Sequence, residues 1–454
     1  MNKNVLMIAN DFPPIGGSGI QRAFYFAKYL EGSGWQPTAL TVKEVLFPAK
    51  DASLLEQLPP CVRVVRTESL ELRRVAWLLG RLIRRPRRSP SGTATTAAPS
   101  PMAIGPRSHE LGRALKRWLF VPDDRMLWAP FALLEAMRAV RREGISLLFA
   151  TAPPYSSAVI GWILQRLTGL PLVIDLRDPW TDNPYLLSPT AVHRRLNRWL
   201  ERKSFAAAAR LIVISPAMRA GVLEKHPALP ADKVTVILNG FDAEEFAGTE
   251  PLERDPGFVT AYVGSLYAHH QESIRAFCSA WSELAAENPA FRQDAKLWLV
   301  GRCDPEIEEE LASWETVNAR ILGYKRHGEA IRYLKTGSML LLLIRDLDPR
   351  TDLITIPGKL FEYLGAGVPI LMIGPEGDAA DIVRGHGGFV CRQDDGAGIR
   401  DAISRLYAAP PGWTAPASAT AEVTCYDRRS LAMRLAAELD AIVSDRAKHD
   451  LRTR

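Results

Sequence analysis

Ile356-Pro357-Gly358-Lys359-Leu360-Phe361-Glu362-Tyr363-Leu364-Gly365-Ala366-Gly367-Val368-Pro369 reads as one short helix that runs into a buried strand at 369–373. Pro357 suits a first helical turn, and the stretch from Gly365 to Pro369 stops the helix. Lys359 and Glu362 stand three apart, so they share a face near the helix N-terminus. Leu360, Phe361 and Leu364 fall on the other side and would anchor the helix in a core. A cation at the positive end of a helix, with a carboxylate one turn on, can hold a diphosphate and a sugar hydroxyl together. The same spacing also describes a surface salt bridge on an ordinary α/β helix.

Around this helix the pattern is strand, loop, helix. Apolar runs at 259–264, 297–300, 319–322 and 339–344 alternate with helical patterns at 305–313 and 328–335, which implies a parallel sheet wound on both sides. Gly374-Pro375-Glu376-Gly377-Asp378 opens a further helix, whose amides near Gly377 are within reach of a phosphate. Asp346-Leu347-Asp348 reads as a plain loop after a strand, and His269 and His270 lack a third partner for a metal. The first half repeats the scheme. A strand at 5–9 leads through a Gly/Pro loop holding Gly16 and Gly17 to a helix with Ile20, Phe24, Ala27 and Leu30 on one face. That arrangement is a natural phosphate cradle. It is not a dinucleotide fingerprint, because Arg22 stands where the third glycine belongs and no acid ends the strand at 37–42. Further on, Arg177-Asp178-Pro179-Trp180 follows a strand at its carboxyl end, where open α/β sheets bind ligands.

The chain has 454 residues, enough for two cores, with 47% hydrophobic and 24% charged residues. No apolar run reaches membrane-span length, and residues 5–9 are too short for a secretory signal. Five cysteines without a C-x-x-C pair argue against a metal site or a disulfide framework and favour a reducing cytoplasm. The formal charge of +6 is uneven: nine arginines lie between 63 and 88. Leu72, Val75, Leu79 and Leu82 fall there at helical spacing, a basic amphipathic pattern suited to an anionic membrane surface, or simply a solvated helix face. Nucleic acid is not expected, since no aromatic-interleaved motif accompanies the charge. Residues from about 85 to 108 are rich in Pro, Ser, Thr and Ala and read as a flexible insertion.

The Pro357-x-Lys359-x-x-Glu362-Tyr363-Leu364 string resembles the nucleotide-sugar helix of family 4 glycosyltransferases, retaining enzymes of the two-domain GT-B fold. A subset of that family carries this form, and the resemblance runs from Val5 to about Tyr407. It implies two doubly wound Rossmann-like domains facing a central cleft. The first would span 1–245, with a hinge at 250–257. The second would span 256–425, and a terminal helix at 428–446 would pack back on the first domain. The resemblance assigns Glu362 to the ribose, Gly16 and Gly17 to the border of the reaction cleft, and Asn239-Gly240-Phe241-Asp242 to the hand-over between domains. The chain also departs from the family. The glutamate that meets the donor sugar is replaced by Ile354, the Arg/Lys diphosphate clamp by Ser265 and His270, and the usual His by Arg177. Lys359 then becomes the main cation for the diphosphate, helped by Arg345 or Arg350. Arg177 is expected to contact phosphate while Asp178 orients it or assists the acceptor hydroxyl, unless the two form a structural pair.

The resemblance implies a metal-independent enzyme without a further cofactor. It would move a sugar from a nucleotide-diphosphate sugar, here a UDP-sugar, to a glycan or lipid-linked acceptor in surface polysaccharide biosynthesis. Its expected place is the cytoplasm, at the inner face of the membrane. A nucleotide-sugar epimerase or hydrolase of the same fold, and a non-catalytic scaffold descended from such a transferase, are the competing readings.

Overall fold

The structure is a computed structural model that describes residues 2–15, 18–43, 53–70, 118, 120–183, 186, 188–253, 257–346, 353–409 and 423–452. The chain divides into two units. The first comprises Met1–Val213, Leu223–Thr235 and Leu435–Arg454; the second comprises Ile214–Val222 and Val236–Arg434. The main part of the second unit, Val236–Arg434, starts ahead of the hinge read at 250–257.

The first unit is built on β1 (Asn4–Ile8), β2 (Gln36–Val42), β3 (Arg63–Thr67), β4 (Leu147–Ala152), β5 (Leu172–Leu176), β6 (Arg210–Val213) and β7 (Val234–Val236). They form one sheet in the order β3-β2-β1-β4-β5-β6-β7, parallel from β3 through β6. Chief among its helices are α1 (Ser18–Leu30), α2 (Ala129–Glu143), α3 (Ser156–Thr168) and α4 (Ala191–Ala207). The order reverses between β1 and β4, the switch point at which such sheets open a crevice.

The second unit repeats the plan with β8 (Val259–Val263), β9 (Lys296–Val300), β10 (Ala319–Gly323), β11 (Met339–Leu343), β12 (Ile370–Ile373) and β13 (Phe389–Cys391). All are parallel, in the order β10-β9-β8-β11-β12-β13, with the switch between β8 and β11. Its helices include α5 (Gln271–Glu287), α6 (His327–Thr336), α7 (Gly358–Ala366), α8 (Asp378–Gly385) and α9 (Gly396–Ala408). Side chains alternate across a strand, and here both faces are covered. Met339, Leu341 and Leu343 of β11 enter one core with Phe277, Trp281 and Ile403. Leu340 and Leu342 enter the other with Leu360, Phe361 and Leu364 of α7. The fold class expected from the sequence, two doubly wound Rossmann-like domains, is the one observed.

Three details differ from the sequence reading. The arginine-rich segment 63–88 opens as strand β3, where Arg63 pairs with Glu143 at 2.6 Å. The rest of it from 71, and the insertion at 85–108, lie outside the described residues. The helix α7 continues through Gly365, whose added Cβ would meet the Phe241 ring at 2.5 Å, and its stop is Gly367 at φ 69°, a left-handed cap that favours glycine. Pro357 caps α7 from outside rather than occupying its first turn.

The last helix, α10 (Arg428–Arg452), is shared by the partition. Asp440 accepts from Lys3 Nζ and from Trp35 Nε1, each at 3.0 Å, and Glu438 pairs with Arg210 at 2.9 Å, all within the first unit. Tyr426 and Arg428 belong to the second, where Phe241 N donates to Tyr426 O at 3.1 Å. Among the described residues no helix is long and apolar enough to cross a membrane.

Candidate active site

Lys359 lies in the first turn of α7 and reaches back to the carboxyl end of β8. Its Nζ donates to the Tyr262 hydroxyl at 2.6 Å and sits 4.3 Å from the centre of the same ring. The Tyr262 hydroxyl in turn donates to the Ser265 carbonyl at 2.9 Å. A fixed hydroxyl and a π-face therefore aim the ammonium at the loop after β8. Gly264 makes room for it. At φ 142° that position favours glycine, and an added Cβ would come within 3.4 Å of Lys359 Cδ and 3.7 Å of Nζ. Burial disfavours the ammonium and pulls the Lys359 pKa down to about 7.

Tyr363 fixes the helix that carries this lysine. Its fully buried hydroxyl accepts from Val263 N at 2.8 Å and donates to Val263 O at 3.1 Å, tying α7 to the end of β8. Glu362 is half-buried and makes no hydrogen bond among the described residues. Its charge is felt by His327 at the start of α6. Burial lowers the pKa of His327, but its hydrogen bond to Glu245 at 2.9 Å and the charges of Glu362 and Glu245 outweigh that and raise it.

Where the family clamp would stand, the loop presents Ser265, whose carbonyl is used by Tyr262, and His270, which is buried. Desolvation first, then the charges of Lys359 and His269, push the His270 pKa down to about 4. Its Nδ1 accepts from Tyr267 N at 3.3 Å, which suits a neutral ring. His269 is also lowered, by burial and by Arg345, so three basic groups (His269, Arg345 and Lys359) converge on one short loop. Gly377 does precede α8 at φ 145°, but Asp378 and Asp381 fill that first turn and Glu376 pairs with Arg384 at 2.6 Å. A phosphate would meet like charge there, so the geometry favours Lys359 over Gly377. Asp346, of the Asp-x-Asp spacing, is bonded to Arg392 at 3.1 Å. Gly16, Gly17 and Arg350 lie outside the described residues, and Ile354 is half-buried.

In the first unit Arg177 is a brace. Its terminal nitrogens donate to the carbonyls of Gly19 and Pro153, tying the start of α1 to the loop after β4. Both arms of the guanidinium donate to backbone, while its buried Nε has no hydrogen-bond partner among the described residues. Asp178 beside it is exposed and shares no hydrogen bond with it among the described residues. The buried carboxylate is instead Asp175. It pairs with Arg22 at 2.8 Å and accepts from Thr151 Oγ1 at 2.9 Å. Arg22, which breaks the glycine fingerprint, thus serves the buried polar cluster. Asn10, just after β1, is fully buried and neither its Oδ1 nor its Nδ2 has a hydrogen-bond partner among the described residues. Sequence reading missed Tyr262, Tyr363, Asn10 and Asp175. The first two stand far from the lysine in the chain or read as core, and only Asp175, a charge inside an apolar strand, carried a signal.

Residues 93–245 match the family model Glycosyltransferase Family 4, and residues 257–409 match Glycosyl transferases group 1. The alpha-maltose-1-phosphate synthase of Mycolicibacterium smegmatis is 30% identical over 165 residues, 35% of this chain and 41% of that protein. The match therefore spans about two-fifths of that relative's length. Sucrose-phosphate synthase from Thermosynechococcus elongatus superposes with a TM-score of 0.60 at 15% identity, covering 98% of this chain and 100% of that one. HepE from Anabaena, solved in complex with UDP, does so with a TM-score of 0.58 at 16% identity, covering 97% and 100%. Identities this low speak for the fold alone. The chain thus has the GT-B architecture, with residues 93–245 similar to glycosyltransferase family 4 and residues 257–409 similar to glycosyl transferases group 1.

Proposed function

We propose that this protein is a retaining, metal-independent glycosyltransferase. It would take a UDP-sugar on its second unit and pass the sugar to a glycan or lipid-linked acceptor in surface polysaccharide biosynthesis, at the inner face of the membrane. The observation that carries this reading is Lys359: an ammonium aimed by Tyr262 at a glycine-cleared loop on the carboxyl edge of a Rossmann-like sheet. Glu362, one turn on and without a hydrogen bond among the described residues, is the partner for the ribose hydroxyls. The Pro357-x-Lys359-x-x-Glu362-Tyr363-Leu364 helix marks the family subset to which we assign the chain. Lys359, with Arg345 nearby, stands in for the missing clamp at Ser265 and His270.

In the reaction the bond between the anomeric carbon and the diphosphate oxygen breaks, and its electron pair leaves with UDP. Lys359 stabilises the charge that grows on that phosphate. The acceptor oxygen attacks the same face of the oxocarbenium-like centre, and its proton passes to the departing phosphate. The test is product analysis with UDP-glucose, UDP-galactose and UDP-N-acetylglucosamine, with and without glycan acceptors, in the presence of EDTA. An α-linked product under EDTA supports the proposal. Free sugar or an epimer formed without acceptor, or no turnover and no UDP binding, contradicts it.

A further inference from the structure

The helix α4 is anchored on one side only. Asn197, Leu200, Glu201, Ser204 and Phe205 are buried, and Thr190 caps its start by accepting from His193 N at 3.3 Å. On the opposite side Val192, Leu196 and Trp199 recur at i, i+4 and i+7, so they form one stripe along the helix. They are 69%, 41% and 39% exposed. Neighbours meet the helix: Trp162 of α3 meets Trp199 edge-on at 5.5 Å, and Trp118, 58% exposed, meets the His193 ring at 5.8 Å. Arg195, Arg198 and Arg202 run beside the stripe and Lys203 continues it, while Arg194 falls by spacing on the anchored side; all five are exposed. None of the five forms an ion pair among the described residues. The one acid on the helix, Glu201, is buried and occupied by Thr181 at 2.6 Å and Lys225 at 3.2 Å.

An aliphatic and indole stripe flanked by unpaired cations is the composition that settles at the headgroup level of a bilayer. We propose that α4 docks this protein on an anionic lipid bilayer. A second copy of the chain fits worse, because a two-fold contact through this face would set its flanking cations against their own copies. The surface lies in the first unit, apart from the lysine assigned to the nucleotide. Its test reads vesicle binding rather than turnover, so its failure and that of the proposed activity are separable.

The test is co-sedimentation of the full chain with phosphatidylcholine vesicles, with and without roughly a quarter phosphatidylglycerol. The protein is expected to pellet with the anionic vesicles alone, and less as salt rises. Two variants address the two halves of the surface: Leu196→Ser with Trp199→Ser, and Arg195→Glu with Arg198→Glu and Arg202→Glu. Each is expected to lower the partition coefficient at least about tenfold while UDP binding and thermal unfolding stay as in the wild type. The proposal is overturned if the wild type stays in the supernatant, or if both variants pellet as it does. It is also overturned if gel filtration shows a dimer that both variants dissociate, which would give the face to a second copy.

Discussion

Lys359 sits in a recess that opposes its own charge, and a charge is what a diphosphate requires. The folded-state pKa of about 7 lies below the ordinary 10.5. Between those values the unfolded chain binds more protons than the folded one, so this residue makes stability rise with pH across that window. In Lys359→Met that contribution should vanish from the pH profile of the unfolding free energy, and the protein should be no less stable near neutral pH. An unchanged slope would mean that the ammonium is not desolvated. Ligand binding reverses the preference, since a bound diphosphate stabilises the proton. UDP affinity should therefore weaken at least about tenfold from roughly pH 7 to pH 9 in the wild type and stay nearly flat in Lys359→Met. For turnover, Lys359→Ala and Glu362→Ala are each expected to cut the rate at least about tenfold without unfolding the protein, and near-normal rates in both would remove the assignment. The lysine and glutamate were legible because a helix turn places them together. Tyr262 was not, since it stands 97 positions away and only folding brings it to the lysine. Arg177 was legible as a residue but its bracing contacts were not, because the backbone partners Gly19 and Pro153 carry no sequence signature.

At the scale of the element, α7 is held by three devices: an apolar face, a tyrosine pin and a glycine against an aromatic ring. Tyr363→Phe leaves Val263 N and O without their side-chain partner and should cost about 1–3 kcal/mol in urea unfolding. Gly365→Ala drives a methyl into the Phe241 ring and should cost a similar ~1–3 kcal/mol. A loss below a few tenths in both would show that the helix is held otherwise. Most strands were legible for one reason: buried parallel strands are continuous apolar runs such as Met339–Leu343. The edge strand β3 was not. Its Arg-Val-Val-Arg-Thr sequence is half-exposed, and its arginines are continuous in sequence with the basic run that follows.

For the molecule as a whole, both sheets carry the same reversal of strand order, and the proposed nucleotide site falls in the second unit because Lys359 does. Leu439 of α10 is fully buried and counts with the first unit. Leu439→Ala should lower stability by about 2–4 kcal/mol, read as an earlier thermal transition. UDP affinity should be retained, because the lysine lies in the other unit, and a parallel loss would tie the site to the terminal helix. This level was the most legible of all: alternating strands and helices in both halves leave few other architectures. The most direct measurement is calorimetric titration of the full-length protein with UDP, wild type against Lys359→Met, near neutral pH. Binding by the wild type that weakens at least about tenfold in the variant is the expected result, and equal affinities, or no binding by either, would contradict the account.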